Sequence, residues 1–284
     1  MYVSAASSAA LDKIYNALKI ETPGAKYSAA FKSGKWDGYH KFFNWRSKTF
    51  ALGLFSVVKK NTTGLIFDVD DQRQLPELTF KPIMLTTSTG LVPAYDFQDN
   101  CVEAMLKNCC GLAHQATNAG KTGAIASLVV CMLDSGIQRI LILERMVNLL
   151  DQVKIEIEKH SHLTLGVISA GSFNISDVTI AMVQTVDRLL KRTELGQQAD
   201  QDAQTMDNLM ETEAIICDEA HHAIALSYAK IFMLVPGAMR FGFSGTIPAE
   251  NTLDGMKLRE IFGDVVSVVR NSELIARGNS AKPA

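Results

Sequence analysis

No apolar run in these 284 residues reaches the roughly 20 needed to cross a bilayer. The opening Met-Tyr-Val-Ser-Ala-Ala-Ser-Ser has no basic segment leading into an apolar one. Neither a membrane span nor a secretory signal is therefore expected. Cysteine is scarce: five residues, at 101, 109, 110, 131 and 217, mostly in apolar surroundings and without a Cys-x-x-Cys pair. That usage argues against a zinc site and fits buried, reduced thiols in a cytoplasmic protein. Internal repeats and low-complexity tracts are absent, and a net charge of −2 gives no overall excess of cations for a polyanion.

What is present is a globular composition, 47% apolar and 20% charged, in a chain long enough for two domains. The charge is unevenly placed. Residues 1–70 hold ten Lys/Arg against five Asp/Glu, about +5, which leaves 18 against 25, about −7, for the remainder. Any polyanion should meet the N-terminal part first.

The strongest chemical signal is His114-Gln115-Ala116-Thr117-Asn118-Ala119-Gly120-Lys121-Thr122, followed by the apolar stretch 124–132. A glycine lets backbone wrap closely, a lysine suits the β/γ-phosphates and a hydroxyl suits Mg²⁺. The apolar stretch reads as a buried helix whose N-terminus faces the phosphates. Gln115 stands where such loops usually begin with Gly. The partner signal is Ala214-Ile215-Ile216-Cys217-Asp218-Glu219-Ala220-His221, an apolar run ending in two acids. It reads as a central parallel strand whose carboxyl end opens onto a ligand crevice. There Asp218 can hold Mg²⁺ through water, and Glu219 can orient and deprotonate a water. The bland alternative is a strand running into a solvated acidic turn.

Residues 1–70 read as a small α+β unit: a strand at 1–5, a helix from Ala9 to Leu18, and a break at Thr22-Pro23-Gly24. A hairpin of 39–45 with 49–52 follows, then a helix at 53–60 and a strand at 64–69. That order is β-α-β-β-α-β. Between Lys26 and Lys60 the cations Lys26, Lys32, Lys35, Lys41, Arg46, Lys48, Lys59 and Lys60 are interleaved with Tyr27, Phe31, Trp36, Tyr39, Phe42, Phe43, Trp45 and Phe50. Such a mixture suits nucleic acid, although in so small a unit most rings are expected in the core. Residues 71–92, polar and punctuated by Pro76, Pro82 and Gly90, read as a linker. From 93 to 284 strands at 111–114, 139–143, 163–168, 178–183, 214–217 and 239–243 alternate with helices, including one over 147–160. That pattern means a parallel sheet covered on both faces, and 193–212 reads as an exposed polar excursion.

With both motifs placed, the chain resembles the first RecA-like domain of superfamily 2 helicases, more narrowly the phage UvsW-type recombination helicases. Gln115 to Thr122 resembles motif I, and Asp218-Glu219-Ala220-His221 a DEAH motif II. Phe97-Gln98 resembles the pair that reads adenine; Leu149 and Gln152 resemble the second half of motif Ia, Gln184-Thr185 motif Ic, and Ser244-Gly245-Thr246 motif III. The N-terminal resemblance lies in Phe31-Lys32-Ser33-Gly34-Lys35-Trp36-Asp37-Gly38, Gly53-Leu54 and Lys59-Lys60. Arg145-Met146 stands where motif Ia normally has Pro-Thr, which puts the usual strand contact in doubt.

The resemblance implies an ATP- and Mg²⁺-dependent helicase or translocase acting on single-stranded or branched DNA in recombination, repair or replication, in a phage-infected host. Thr117 to Thr122 would cradle phosphates, with Lys121 on the β/γ-oxygens, Thr122 and Asp218 on Mg²⁺, and Glu219 on the water. His221, Ser244, Gly245 and Thr246 would link nucleotide to DNA, and Lys32, Lys35, Trp36, Lys41, Gln184 and Thr185 would touch DNA. Relatives continue beyond Ser272-Glu273-Leu274-Ile275 into a second RecA-like domain that brings arginine fingers, so residues 1–284 alone are expected to be nearly inactive. Two other readings stand beside this one: a restriction-system motor, which usually carries nuclease or target-recognition segments, and a nucleic-acid-binding module with a degenerate ATPase.

Overall fold

The computed structural model describes residues 1–4, 7–197 and 200–278. The chain forms two compact units, one of Met1–Gln74 with Ile247–Asp264 and one of Leu75–Thr246 with the chain from Val265 on.

In the first unit the Ser7 hydroxyl caps α1 (Ser8–Ala17) by accepting from Ala10 N, and Leu11, Ile14 and Leu18 turn inward. The strand β1 (Lys19–Glu21) pairs antiparallel with β2 (Tyr39–Lys41). Between them runs an excursion, closed by a Thr22 N–Gly38 O bond, that carries α2 (Ala29–Lys32). After α3 (Phe55–Asn61) the core is complete but for one contribution. Leu11, Ile14, Leu18, Phe42, Phe43, Phe50, Leu54, Val57 and Val58 pack with Met256, from a helix at Leu253–Phe262. Gly53 is what lets that helix approach, since a Cβ there would lie 2.0 Å from Arg259 O.

Several expectations for this unit fail. The N-terminal strand reduces to a single bridge, Tyr2–Thr49; Ala5 lies outside the described residues. Tyr39–Lys41 pairs with Lys19–Glu21, and the expected hairpin keeps only an Asn44–Thr49 bridge. No strand forms at 64–69: Leu65 and Phe67 lean on the core while Ile66 is 98% exposed, because alternation without a neighbouring edge to pair with cannot make a strand. The β-α-β-β-α-β order is therefore absent.

The second unit begins with a hairpin of β3 (Met84–Thr87) and β4 (Gly90–Pro93), inside the stretch expected to be linker. Its Leu85 is buried, which ties the hairpin down where a linker would be solvated. Then come α4 (Asp96–Asn108), β5 (Cys110–Gln115), α5 (Lys121–Asp134), β6 (Ile140–Glu144), α6 (Val147–Ser161), β7 (Gly166–Ser169), β8 (Ser172–Asn174) and β9 (Val178–Met182). They are followed by α7 (Val183–Glu194), α8 (Asp200–Met210), β10 (Ala214–Cys217), α9 (Leu226–Leu234) and β11 (Met239–Ser244). The chain next supplies α10 (Leu253–Phe262) to the first unit and returns as β12 (Val265–Val269) and α11 (Asn271–Ala276).

Eight strands form one sheet in the order β12-β5-β11-β10-β6-β9-β7-β8, parallel except for β8. Every residue of β6, β9 and β10 is buried, as a strand covered on both faces requires. Ile140, Ile142, Ile180, Ile216 and Phe241 share one cluster with α4, α5 and α6. On this evidence of strands and helices the expected RecA-like α/β sheet is what forms. Cys101, Cys109, Cys131 and Cys217 are buried, and none of the five cysteines forms a disulfide. The polar stretch expected to be an exposed excursion is in part α8, whose Met206 and Leu209 are buried and whose Asp202 bonds Arg192 at 2.7 Å. Only two well-spaced apolar residues were needed to fix that helix.

Gly53→Ala forces a methyl onto the Arg259 carbonyl and should destabilise the first unit by about 2 kcal/mol or more. Chemical denaturation should show the lower midpoint, whereas Gly24→Ala, with open space but a positive φ, should cost less.

Candidate nucleotide site

β5 ends at the fully buried Gln115, and the chain turns through 116–120 before α5 begins at Lys121. Ala116 N donates to Val269 O at 2.9 Å, anchoring the loop to β12. Asn118 (φ 69°) and Gly120 (φ 71°) take left-handed conformations. At Gly120 a Cβ would also come within 2.5 Å of Gln98 Nε2, so glycine is required there twice over. Thr117, Asn118 and Gly120 are exposed, Lys121 and Thr122 half-buried. The result is an open loop of amides at the positive end of a 14-residue helix.

Opposite stand the acids. β10 delivers Asp218, 8% exposed, whose Oδ1 accepts from Glu219 N at 2.8 Å; Glu219 itself has φ 48°. Lys121 Nζ donates to Glu219 Oε1 at 2.7 Å. The other Glu219 oxygen lies 3.3 Å from His221 Nδ1, which is 2.8 Å from Ser244 Oγ at the end of β11. Ser244 Oγ in turn accepts from Thr246 N and donates to Thr246 O, while Gly245 O meets His114 Nε2 at 3.2 Å. Burial pushes the Asp218 carboxyl above its ordinary range, with the Lys121 ammonium opposing. Among the described residues no three His, Cys, Asp or Glu side chains converge to hold a metal by themselves. Asp218 and the Thr122 hydroxyl are hard oxygen donors of the kind Mg²⁺ takes when phosphate oxygens and water complete its shell.

The expected pair Phe97-Gln98 is placed differently from the expectation. Phe97 is buried with Ala119, Val269 and Leu274, and the Arg277 guanidinium lies over its ring. Gln98 is 2% exposed; its Oε1 accepts from Tyr95 N, and its Nε2 donates to the carbonyls of Ala119 and Gly120 at 3.3 and 2.9 Å. Its amide is committed to the loop's shape. Tyr95, which the sequence gave no reason to single out, carries the exposed ring here, stacked on Phe97 at 5.1 Å.

Residues 92–249 match the family described as Type III restriction enzyme, res subunit. The chain belongs to that family. No curated protein matches it. Its fold is that of the UvsW helicase of bacteriophage T4. Against one crystal structure the TM-score is 0.73 at 18% identity, covering 91% of this chain and 93% of that one. Against a second, longer T4 UvsW structure it is 0.70 at 19% identity, covering 91% of this chain and 53% of that one. The chain thus spans about half of the longer relative.

The end of β6 carries a group that sequence reading passed over. Glu144 is 2% exposed; its Oε1 accepts from Arg145 N at 2.7 Å and Met146 N at 3.0 Å, in the turn that leads into α6. Arg145 reaches His222, Nη1 lying 3.2 and 3.0 Å from the two ring nitrogens, and Gln184 Nε2 donates to Arg145 O at 3.1 Å. Thr185 is buried. The signal for Glu144 was in the sequence: like Asp218, it is an acid ending an apolar run.

Of the residues expected to touch DNA from the first unit, Lys32 and Lys35 are exposed. Lys41 pairs with Asp37 at 2.8 Å, and Trp36 Nε1 donates to Tyr39 O at 3.0 Å. Phe42, Phe43 and Phe50 are core, while Tyr27, Phe31 and Trp45 expose their rings.

Burial pushes Glu144 above the usual carboxyl range, and the charges of Asp218 and Glu219 push the same way. A carboxyl raised in the folded state contributes most at low pH, and that contribution is lost as pH rises through its folded value. Glu144→Gln keeps an acceptor for the Arg145 and Met146 amides without the buried charge. Thermal melts should show a higher midpoint than the parent at neutral pH, a gain that vanishes below about pH 4.

Proposed function

We propose that residues 1–284 are the nucleotide- and DNA-binding part of an ATP-dependent DNA helicase or translocase that remodels branched DNA. The observation that carries this reading is the 2.7 Å ion pair between Lys121 and Glu219, which joins an anion-binding loop to the acid pair of a neighbouring strand. In the absence of nucleotide the lysine is held by the glutamate. An arriving triphosphate competes for the same ammonium, so its binding frees Glu219 to take a water proton just when a substrate is present. Lys121 would then sit on the β/γ-oxygens, with the loop amides of 117–122 around the phosphates.

Thr122 and Asp218 would hold Mg²⁺, which would supply charge neutralisation on the phosphoryl oxygens. Gln98 keeps the carbonyls of Ala119 and Gly120 turned away from the anion. His221, bonded to both Glu219 and Ser244, ties the acid to the Ser244-Gly245-Thr246 segment, so a shift of Glu219 would be felt there. DNA would be met by the exposed Lys32 and Lys35 of the first unit and by the Arg145–Gln184 edge of the second. A restriction motor is the second reading, favoured by the family match over 92–249.

Lys121→Ala should lower Mg-ATP affinity by 100-fold or about 3 kcal/mol, the scale of a buried charge-assisted bond. Glu219→Gln should bind as tightly as the parent or more so, because Lys121 is released. Equilibrium titration with a fluorescent ATP analogue reads both; parental affinity in Lys121→Ala, or a large loss in Glu219→Gln, removes the site assignment. For DNA, replacing Lys32, Lys35 and Lys41 together by Ala should flatten the salt dependence of binding by the whole chain. Lys41, already paired with Asp37, should contribute least. An unchanged slope in fluorescence anisotropy would mean these lysines only solvate the unit.

A further inference from the structure

The strand ends that carry the acid pair hold one more carboxylate, and nothing in the proposed reaction uses it. β6 and β10 run parallel with Leu143 beside Cys217, and Asp218 N bonds Leu143 O at 3.3 Å. In a parallel pair, residues in register project to the same face. The next positions, Glu144 and Asp218, therefore share a face, the one on which Ile142 and Ile216 pack with α5 and α6. That is also the face of the helix that begins with Lys121 and Thr122.

Within that arrangement Glu144 is half used. One oxygen accepts from the amides of Arg145 and Met146; the other, Oε2, is buried and has no hydrogen-bond partner. Leaving a carboxylate oxygen buried and unpaired costs several kcal/mol unless something charged or hydrogen-bonding arrives. The two amides need only one acceptor oxygen, so they do not account for the second. The cation nearest at hand, Lys121, is bonded to Glu219.

We propose that Glu144 is an additional acidic member of the Mg²⁺ site, a positioning residue that acts on the bound ion through its water beside Asp218. The idea rests on the nucleotide-site reading above. Mg²⁺ dehydrates reluctantly and keeps several waters in such sites, so an acid outside its immediate shell holds it by accepting from those waters. With the ion present, the orphan oxygen gains a partner and the like charge of Asp218 is neutralised. Without the ion, the same carboxylate repels a bare triphosphate.

Those two effects have opposite signs, which separates them from simple damage. The test uses the whole chain and Mn²⁺ with a non-hydrolysable ATP analogue. Free Mn²⁺ is read by electron paramagnetic resonance, and metal-free nucleotide affinity is measured in chelator. Glu144→Gln, which retains an acceptor for the Arg145 and Met146 amides, should weaken Mn²⁺ about tenfold while leaving metal-free nucleotide binding equal or a few-fold tighter. Glu144→Asp, which keeps the charge on a shorter stem, should lose less Mn²⁺ affinity than Gln and covers the case in which the Gln variant folds poorly. Asp218→Asn is the control. If Asp218→Asn weakens Mn²⁺ and Glu144→Gln does not, the inference is wrong and the nucleotide site stands. If neither does, the metal assignment itself fails. A parallel loss of metal-free nucleotide affinity in Glu144→Gln would show that the residue only shapes the loop, and would overturn the proposal.

Discussion

A sheet whose central strands are buried on both faces can keep charge only where its strands end. In β6, β9 and β10 every residue is buried, and the first ionisable side chains appear at Glu144, Asp218 and Glu219, all at carboxyl ends. Three acids gathered there repel one another, and burial lifts two of them above the usual carboxyl range. Lys121 is the counterweight. Its backbone is fixed from below by α5, whose buried apolar residues lie in the same cluster as Ile142 and Ile216, and its flexible side chain carries the ammonium to Glu219. The ion pair with Glu219 is thus less a source of stability than a consequence of where the fold must put its charges.

Backbone conformation around the site follows from the same constraint. Glu219 is a non-glycine residue at φ 48°, ψ 51°, a conformation that costs of order 1 kcal/mol or more and persists only where surroundings dictate it. Here the Asp218 carboxylate accepts from Glu219 N on one side and Lys121 pulls its side chain from the other. The kink sends the next residues into a short turn, which brings His221 to Ser244 and stacks His222 beside it at 3.9 Å. A strand that simply continued would carry Glu219 away from the loop.

The parallel sheet and its two motifs were legible because buried parallel strands are apolar runs, and chemistry is confined to the residues that end them. Ala214–Cys217 followed by Asp218-Glu219 could hardly be read otherwise. Ile140–Leu143 followed by Glu144 carries the same signature in a single acid, and so it escaped notice. The small unit was less legible for a physical reason. Its core borrows Met256 and the helix Leu253–Phe262 from nearly two hundred residues downstream. Alternation at Gly64–Val69 then looked like a strand, because nothing local shows that the available surface is a helix and not a sheet edge.

Gln98 shows how a residue singled out by its motif can also shape the fold around it. Sequence offers an amide near a phosphate loop, and an amide can read a base. The structure spends all three of its contacts on backbone: Tyr95 N, Ala119 O and Gly120 O. Two carbonyls at the loop's end would otherwise be free to turn toward an incoming anion and repel it. Drawing them onto the Gln98 amide leaves the N–H groups of the helix start as the groups facing the phosphates. It also explains why residue 120 must be glycine, since the amide that holds the loop fills the space a side chain would need. Tyr95, one helix turn away, offers a ring that is half-exposed and already stacked on Phe97. On the proposed reading, loop shape and base contact are divided between two residues three positions apart on the same helix start.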